Sequence, residues 1–154
     1  MTKDVLVSIS GLHTEFVQNV ERSGEEADAI EVVTPAAYYL KNGKHYIVYD
    51  EVAEGTSSVT KNRIKINEEG ILEISKSGIS NSHMIFEKNK QNLSYYRTPY
   101  GQMLLGVNTK KIDITIEEDR IGVELEYELS VNHEALADCA VTINIYSKET
   151  APFS

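Results

Sequence analysis

Tyrosine is the residue type best suited to form a binding site in this sequence. The chain has nine tyrosines and no tryptophan. Two segments hold most of them: Tyr38, Tyr39, Tyr46 and Tyr49 in the first, and Tyr95, Tyr96 and Tyr100 in the second. A tyrosine combines an apolar ring with a polar tip, so tyrosines that line a cavity suit a small amphipathic molecule. Strand propensity and core packing explain the same enrichment, and the sequence leaves both explanations open.

The two tyrosine segments and their polar neighbours give a candidate ligand-binding set. Its members are Tyr38, Tyr49, His83, Tyr96, Arg97 and Tyr100. Adjacent residues on a strand point to opposite faces. One member of each Tyr-Tyr pair is therefore expected to face the interior of a barrel.

The sequence offers little for metal or covalent chemistry. The histidines, His13, His45, His83 and His133, are far apart, and Cys139 is the single cysteine, so the close ligand spacing of zinc sites is absent. No G-x-S-x-G, G-x-x-x-x-G-K-[ST] or G-x-G-x-x-G stretch occurs. We predict no metal, no cofactor and no enzymatic activity. The alternative is an enzyme whose site is built from some of the candidate residues without a recognisable motif.

Cys139 is predicted to be a structural residue. It opens an apolar register that continues through Val141, Ile143 and Ile145. A reactive thiolate needs an electropositive and partly open site. We therefore expect a buried and inert thiol.

Composition places the chain among globular proteins and limits the classes of partner that it is expected to bind. The formal net charge is −9 and the pI is about 4.9, which disfavours nucleic acids and anionic membranes. No window approaches the ~20 consecutive apolar residues of a membrane span, and the first ten residues, MTKDVLVSIS, do not resemble a signal peptide. A lone cysteine suits a reducing compartment. We predict a cytoplasmic protein without nucleic-acid or membrane partners, and the sequence leaves a homodimer open.

Alternation of apolar and polar residues dominates the chain and predicts strands with one buried face. Turn signals such as Asn42-Gly43, which suits a two-residue hairpin, separate these runs. The predicted strands are 4–13, 28–41, 44–53, 58–66, 71–75, 82–88, 92–99, 101–108, 110–118 with 120–130, and 138–147. Two segments, 17–29 and 132–138, interrupt the pattern and are predicted as loops with room for one helical turn each.

The order of these elements predicts an all-β fold. Short strands joined by hairpins in sequence order form an antiparallel meander, which closes into a barrel of about 8–10 strands. A β-sandwich is the alternative. No repeat or linker divides the chain, so residues 1–154 are predicted to form one domain with its core at 4–147.

Pro99, Tyr100 and Gly101 interrupt two predicted strands. Proline fixes φ and lacks an N–H group, whereas glycine tolerates backbone angles that are closed to other residues. The segment therefore predicts a sharp corner in the sheet. A rim that contacts a ligand is the alternative.

Two charged stripes are predicted on the outer wall. The basic stripe is Lys61, Arg63 and Lys65, and the acidic stripe is Glu124, Glu126 and Glu128. Each lies opposite an apolar set on its own strand, which indicates an outward direction. If the two strands are neighbours, ion pairs across them would help fix the register. If they are not, the basic stripe is free for an acidic partner.

Three segments carry a resemblance to a known family. They are the run from Tyr96 to Gly101, the hairpin TPAAYYLKNGKHYIVYDE (34–51) and SKSGISNSHMIF (75–86). Over residues 4–146 the chain resembles the YwiB-like family, which consists of uncharacterised bacterial proteins of unknown function. The resemblance implies a calycin-like barrel, akin to lipocalins, and no established activity. Ala36 and Lys76 stand where the family pattern has glycine and arginine.

These observations lead to three functional hypotheses. We predict a non-enzymatic barrel that binds a small, partly apolar ligand in its mouth. The first alternative is a filled barrel that acts as a protein-interaction or regulatory module, which a large exposed apolar patch would favour. The second is an enzyme, which a pocket with a perturbed histidine or carboxylate would favour.

Overall fold

The chain forms ten β-strands in a computed structural model that describes residues 3–15, 29–52 and 58–150. The strands are β1 (Asp4–Glu15), β2 (Ala29–Lys41), β3 (Lys44–Val52), β4 (Val59–Ile66), β5 (Leu72–Ser77), β6 (Ser82–Phe86), β7 (Gln91–Thr98), β8 (Gly101–Ile116), β9 (Arg120–Val131) and β10 (Glu134–Ser147). A short 3-10 helix, Lys148–Thr150, follows β10. Within the described ranges, no helix has the length and apolar character needed to cross a membrane.

The strands belong to one antiparallel sheet with the order β6-β5-β4-β3-β2-β1-β10-β9-β8-β7. Strands that are neighbours in sequence pair with each other, with the exception of β6 and β7. The first and last strands also pair, for example through Val7 opposite Ile145. The predicted antiparallel meander and barrel are confirmed, and the sandwich alternative is wrong because one continuous sheet encloses the core. The relation to calycins and lipocalins stays a prediction.

A single bridge closes the barrel between β6 and β7. The backbone N–H of Asn81 donates to the carbonyl of Arg97, and the N–H of Arg97 donates back to the carbonyl of Asn81, both at 2.8 Å. In the part of the chain that the structure describes, no ladder continues from this bridge along the two strands. The barrel is therefore nearly closed.

Strand β8 combines two of the predicted strands. Its pairing with β9 shifts register between Thr109 and Lys111. The extra residue, Lys110, is a bulge that bends the strand without ending it. Because of the bulge, the alternation of inward and outward side chains is shifted by one residue after Lys110. This shift explains why the sequence pattern suggests two separate strands.

The helical turn predicted in 132–138 is wrong, and the one predicted in 17–29 falls almost entirely outside the described residues. Asn132 and His133 form a hairpin turn with φ angles of 50° and 70°, and β10 begins directly after them. The segment 132–138 is therefore turn and strand. In the other segment, residues 17–28 lie outside the described residues.

The Pro99–Gly101 segment is the hairpin turn between β7 and β8. Thr98 pairs with Gly101, and the Thr98 hydroxyl donates to the carbonyl of Gly101 at 3.0 Å and accepts from the N–H of Tyr100 at 3.1 Å. Gly101 has a φ of 131°, which side chains other than hydrogen disfavour. The predicted corner thus takes the form of a two-residue turn.

The core inside the barrel is apolar. Its fully buried members are Val5, Val7, Ile47, Ile64, Ile66, Leu72, Phe86, Val107, Ile121, Val123, Leu125, Ile143 and Ile145. The rings of Phe86 and Tyr127 meet edge to face across the interior, with centroids 4.8 Å apart. Cys139 lies opposite Tyr127 and is half-buried, so the prediction of a fully buried thiol is wrong in degree. Burial, chiefly, raises the pKa of this thiol.

The charged stripes occupy strands that are not neighbours. The basic stripe lies on β4, which pairs with β3 and β5, and the acidic stripe lies on β9, which pairs with β8 and β10. Lys65 instead reaches Glu73 at 3.6 Å, and Glu126 reaches Lys111 at 3.9 Å. The two stripes therefore cannot pair within one molecule.

Candidate functional site

The interior becomes polar towards the end of the barrel where β3 and β5 finish and β4 and β6 begin, which we call the mouth. The registers of these four strands align their inward side chains in layers. Below the pair Glu51 and Thr60 at the rim, the first layer is Tyr49, Asn62, Lys76 and Ser82. The next layer is Ile47, Ile64, Ile74 and Met84, and the third is His45, Ile66, Leu72 and Phe86. A polar layer therefore lies directly above two layers that are mainly apolar.

Asn62 is the most enclosed member of the polar layer, since only 2% of its surface is exposed. Its Nδ2 donates to Oε1 of Glu51 at 3.3 Å and to the carbonyl of Thr60 at 3.4 Å, which are long distances for such bonds. Its Oδ1 is buried and accepts no hydrogen bond from the described residues. Leaving a buried acceptor without a donor costs about 1–3 kcal/mol. A donor group on a bound molecule would recover that free energy.

Lys76 and Glu51 bring opposite charges to the same region. The Lys76 ammonium lies 3.7 Å from Oε1 of Glu51, and the two side chains are 48% and 56% exposed. Water therefore reaches this level of the barrel. An ion pair with this exposure contributes little to stability, so either charge can turn to a bound molecule at small cost.

Tyr49 supplies a neutral hydroxyl to the polar layer. Its pKa is raised by burial first and by the negative charge of Glu51 second. The phenol therefore keeps its proton at neutral pH. It can donate or accept a hydrogen bond in the same layer as Asn62, its cross-strand partner.

The opposite side of the mouth is apolar. The contact between Phe86 and Tyr127 shows that these residues of β6 and β9 lie at the same height along the barrel axis. From Tyr127 towards the mouth, the inward residues of β9 are Leu129 and Val131, and Val131 lies opposite Leu105 of β8. The mouth therefore has a polar side on β3–β6 and an apolar side on β8 and β9.

Three of the predicted site residues face the interior. Tyr49 belongs to the polar layer, and the Asn81–Arg97 bridge places Tyr96 next to Ser82, the β6 member of that layer. Tyr38 lies deeper, opposite Ile47, and its hydroxyl is 2.7 Å from Nδ1 of His45. Burial raises the pKa of Tyr38 and lowers that of His45, so this pair is neutral at physiological pH.

The other three predicted site residues are not in the interior. The His83 side chain lies on the outer wall, where its Nε2 is 2.9 Å from Oε1 of Glu73. Burial alone would raise the pKa of Glu73, but hydrogen bonds and charges from His83 and Lys65 lower it overall. Arg97 is exposed beside the inward Tyr96, and Tyr100 is 98% exposed at the turn.

Sequence reasoning missed the most enclosed polar residue of the mouth. Asn62 follows Lys61 and precedes Arg63 in a stretch that looks like a charged outer face, so its residue type gives no sign of an inward site. The sequence feature that could identify Asn62 is its position on the buried face of its strand. Asn62 shares that face with Ile64 and Ile66, and Lys76 shares the buried face of β5 with Leu72 and Ile74. Each face becomes polar at one end, and the hairpins bring those ends together.

The structure offers no alternative site for a metal ion in the residues it describes. There, no group of three or more histidine, cysteine, aspartate or glutamate side chains converges as metal ligands would. The described residues of the mouth offer hydrogen-bonding groups, an ion pair and apolar contacts.

Comparisons with known proteins agree with this architecture. The chain is 27% identical over 123 residues to the uncharacterized beta-barrel protein YwiB of Bacillus subtilis (strain 168), covering 80% of this chain and 82% of that protein. The crystal structure of the ywiB protein from Bacillus subtilis superposes with a TM-score of 0.73 at 20% identity, over 92% of this chain and 90% of that one, which supports the fold alone. The profile described as "Domain of unknown function (DUF1934)" matches residues 15–143. The chain belongs to the DUF1934 family of β-barrel proteins.

Proposed function

We propose that this protein binds a small amphipathic molecule in the mouth of its barrel. The observation that carries the proposal is the buried Oδ1 of Asn62, which has no hydrogen-bond donor among the described residues. Buried polar atoms are nearly always satisfied in folded proteins. The Asn62 acceptor lies in the polar layer, next to the exposed Lys76–Glu51 pair, where a bound molecule can supply the missing donor.

The two sides of the mouth indicate the chemistry of the ligand. Its polar end would carry a hydrogen-bond donor for Asn62, and an anionic group, if present, would approach Lys76. Its apolar part would lie against Leu129 and Val131 on the other side. Binding sites of this kind are mostly apolar with a few fixed polar groups that set orientation. We expect a molecule with one polar end, bound without covalent chemistry.

Exposed apolar residues near the mouth support the same proposal. Val52 and Val59 form the last pair of β3 and β4 and are 63% and 43% exposed, and Ile79, in the connection between β5 and β6, is 61% exposed. Apolar side chains at an entrance lower the cost of moving an amphipathic molecule out of water. We place this binding in the cytoplasm, as the lone cysteine predicts.

Native mass spectrometry of the freshly purified protein tests the proposal. We expect a bound mass in the wild type that is lost in Asn62→Leu. The matched control is Thr109→Val, because Thr109 is also fully buried with an unpartnered hydroxyl but lies on β8, outside the polar layer. Extraction and chromatography of the released molecule would then identify it.

The outcomes separate the functional hypotheses. Equal retention of the bound mass by wild type and Asn62→Leu would contradict a site at Asn62. No bound mass in any variant, together with co-purification of another protein, would favour the interaction module over the ligand-binding barrel.

A further inference from the structure

A groove on the outer wall carries a second inference, although Tyr49 and Asn62 of the mouth also line it. It lies over β3, β4 and β5 and has a volume of about 560 Å³. The outward residues that line it are Val48, Asp50, Lys61, Arg63, Ser75 and Ser77. Ligand sites for small molecules have volumes of about 300–1,000 Å³, so the groove has room for a compact molecule.

Two cations and two hydroxyls face one another in this groove. Lys61 pairs with Ser77 and Arg63 pairs with Ser75 across the β4–β5 ladder. Cross-strand neighbours have Cβ atoms about 5 Å apart, and residues i and i+2 along a strand are about 7 Å apart. The four side chains therefore project from neighbouring positions on the same outer face.

Neither Lys61 nor Arg63 forms an ion pair with the carboxylates of the described residues. In the described parts of the chain, no carboxylate lies within 4.0 Å of the Lys61 ammonium or the Arg63 guanidinium. Asp50 lies opposite Lys61 on β3 but forms no such pair. Arg63 instead lies over the ring of Tyr46, 5.8 Å from its centroid. Lys65, the third member of the basic stripe, is paired with Glu73 and lies outside the groove.

We propose that this groove binds the phosphate group of a small molecule. A guanidinium can donate two parallel hydrogen bonds to a phosphate, an ammonium adds a point charge, and two hydroxyls complete the set of donors. Val48 offers an apolar contact for the rest of the molecule. The net charge of −9 repels anions at long range, so binding depends on these few side chains.

An extended acidic polypeptide fits the groove less well. Such a partner needs a long basic surface, whereas Lys65 is paired with Glu73 and lies outside the groove. A phosphate presents its charge at one point, and the two cations of the groove come from one strand. The compact arrangement of donors therefore favours a phosphate over an acidic protein segment.

Titration of the ¹⁵N-labelled protein with inorganic pyrophosphate, followed by NMR, tests the inference. We expect saturable shifts at the outward residues of the groove, Val48, Asp50, Lys61, Arg63, Ser75 and Ser77. Arg63→Gln should weaken binding about tenfold, the loss of one charge-assisted contact, and Lys61→Gln with Arg63→Gln should abolish it. The matched control is Lys111→Gln, because Lys111 lies on the outer wall but is paired with Asp113 and Glu126. It should bind as the wild type does.

Three results would overturn the proposal. They are an absence of saturable shifts, shifts centred elsewhere on the barrel, and equal affinity in wild type and Arg63→Gln. A parallel titration with hexaglutamate addresses the acidic polypeptide: tighter binding of that peptide than of pyrophosphate at the same residues would replace the phosphate with an acidic protein segment.

Discussion

Replacement of Asn62 by leucine should stabilise the protein and abolish the proposed ligand binding. The wild-type side chain is 2% exposed, and its Oδ1 has no donor in the described residues. A polar group in this state lowers stability, and the ligand binding proposed above would offset that cost. Natural proteins often show this opposition between function and stability.

The expected change in the free energy of unfolding is the sum of three contributions. Removing the unsatisfied carbonyl recovers about 1–3 kcal/mol. Removing Nδ2 loses two hydrogen bonds, to Glu51 at 3.3 Å and Thr60 at 3.4 Å, each worth about 0.5 kcal/mol at this length. The leucine adds apolar burial above Ile64. The net expectation is a gain of about 1 kcal/mol, which raises the Tm of a chain of this size by about 2–4 °C.

Urea unfolding followed by circular dichroism, on protein stripped of bound molecules, measures this change. Thr109→Val serves as the control, because its hydroxyl is buried and unpartnered too. It should gain a similar amount without changing ligand retention. A loss of 1 kcal/mol or more in Asn62→Leu would refute the reasoning, since it would mean that the asparagine is satisfied and structural.

Further predictions concern the turn, the thiol and the outer wall. Gly101→Val should lower stability by about 1–3 kcal/mol, because φ is 131° and a side chain is strained there; Tyr100→Val beside it should be neutral, and equal unfolding curves for both would contradict the strained turn. Cys139 should react with a thiol reagent at pH 7 at least about tenfold more slowly in the native than in the urea-unfolded protein, because burial chiefly raises its pKa and the thiolate is the nucleophile. Because burial disfavours the thiolate, the neutral thiol favours the folded state. Its contribution to the free energy of unfolding is present below the unfolded pKa of about 8.5 and is lost as the pH rises through the folded pKa. Fast labelling of the native protein at pH 7 would contradict the buried, neutral thiol. Arg63→Glu should leave stability within about 0.5 kcal/mol at low and high salt, whereas Lys111→Glu, whose carboxylate partners lie at 3.8 and 3.9 Å, should lose about 1 kcal/mol at low salt and less at high salt. The reverse ranking would mean that the basic stripe pairs internally.

The sequence alone determines which face of most strands is buried. Alternation along β4 sets Ile64 and Ile66 against Arg63 and Lys65, and the structure keeps that division. Hairpin signals are equally local, since Asn42-Gly43 adopts its turn with positive φ at both residues. Both depend only on the two-residue period of a strand and on backbone sterics.

The pairing of strands that are far apart in sequence is visible only in the tertiary structure. No local pattern indicates that β1 pairs with β10 or that the sheet closes at Asn81 and Arg97, because such pairs depend on the cumulative twist and register of the whole sheet. The same closure separates the basic stripe from the acidic one.

The candidate site lies at the boundary between these two kinds of information. The sequence of each strand places Asn62 and Lys76 on inward faces, yet neither residue looks like part of a site within its own strand. Alternating strand directions bring the polar ends of β3 to β6 to one end of the barrel. His83 shows the converse: its chemistry suggested a site, but its register turns the side chain to the outer wall. Residue type and period fix the face of a side chain, and only the closed sheet fixes which other side chains it meets, because those neighbours come from strands far apart in the chain.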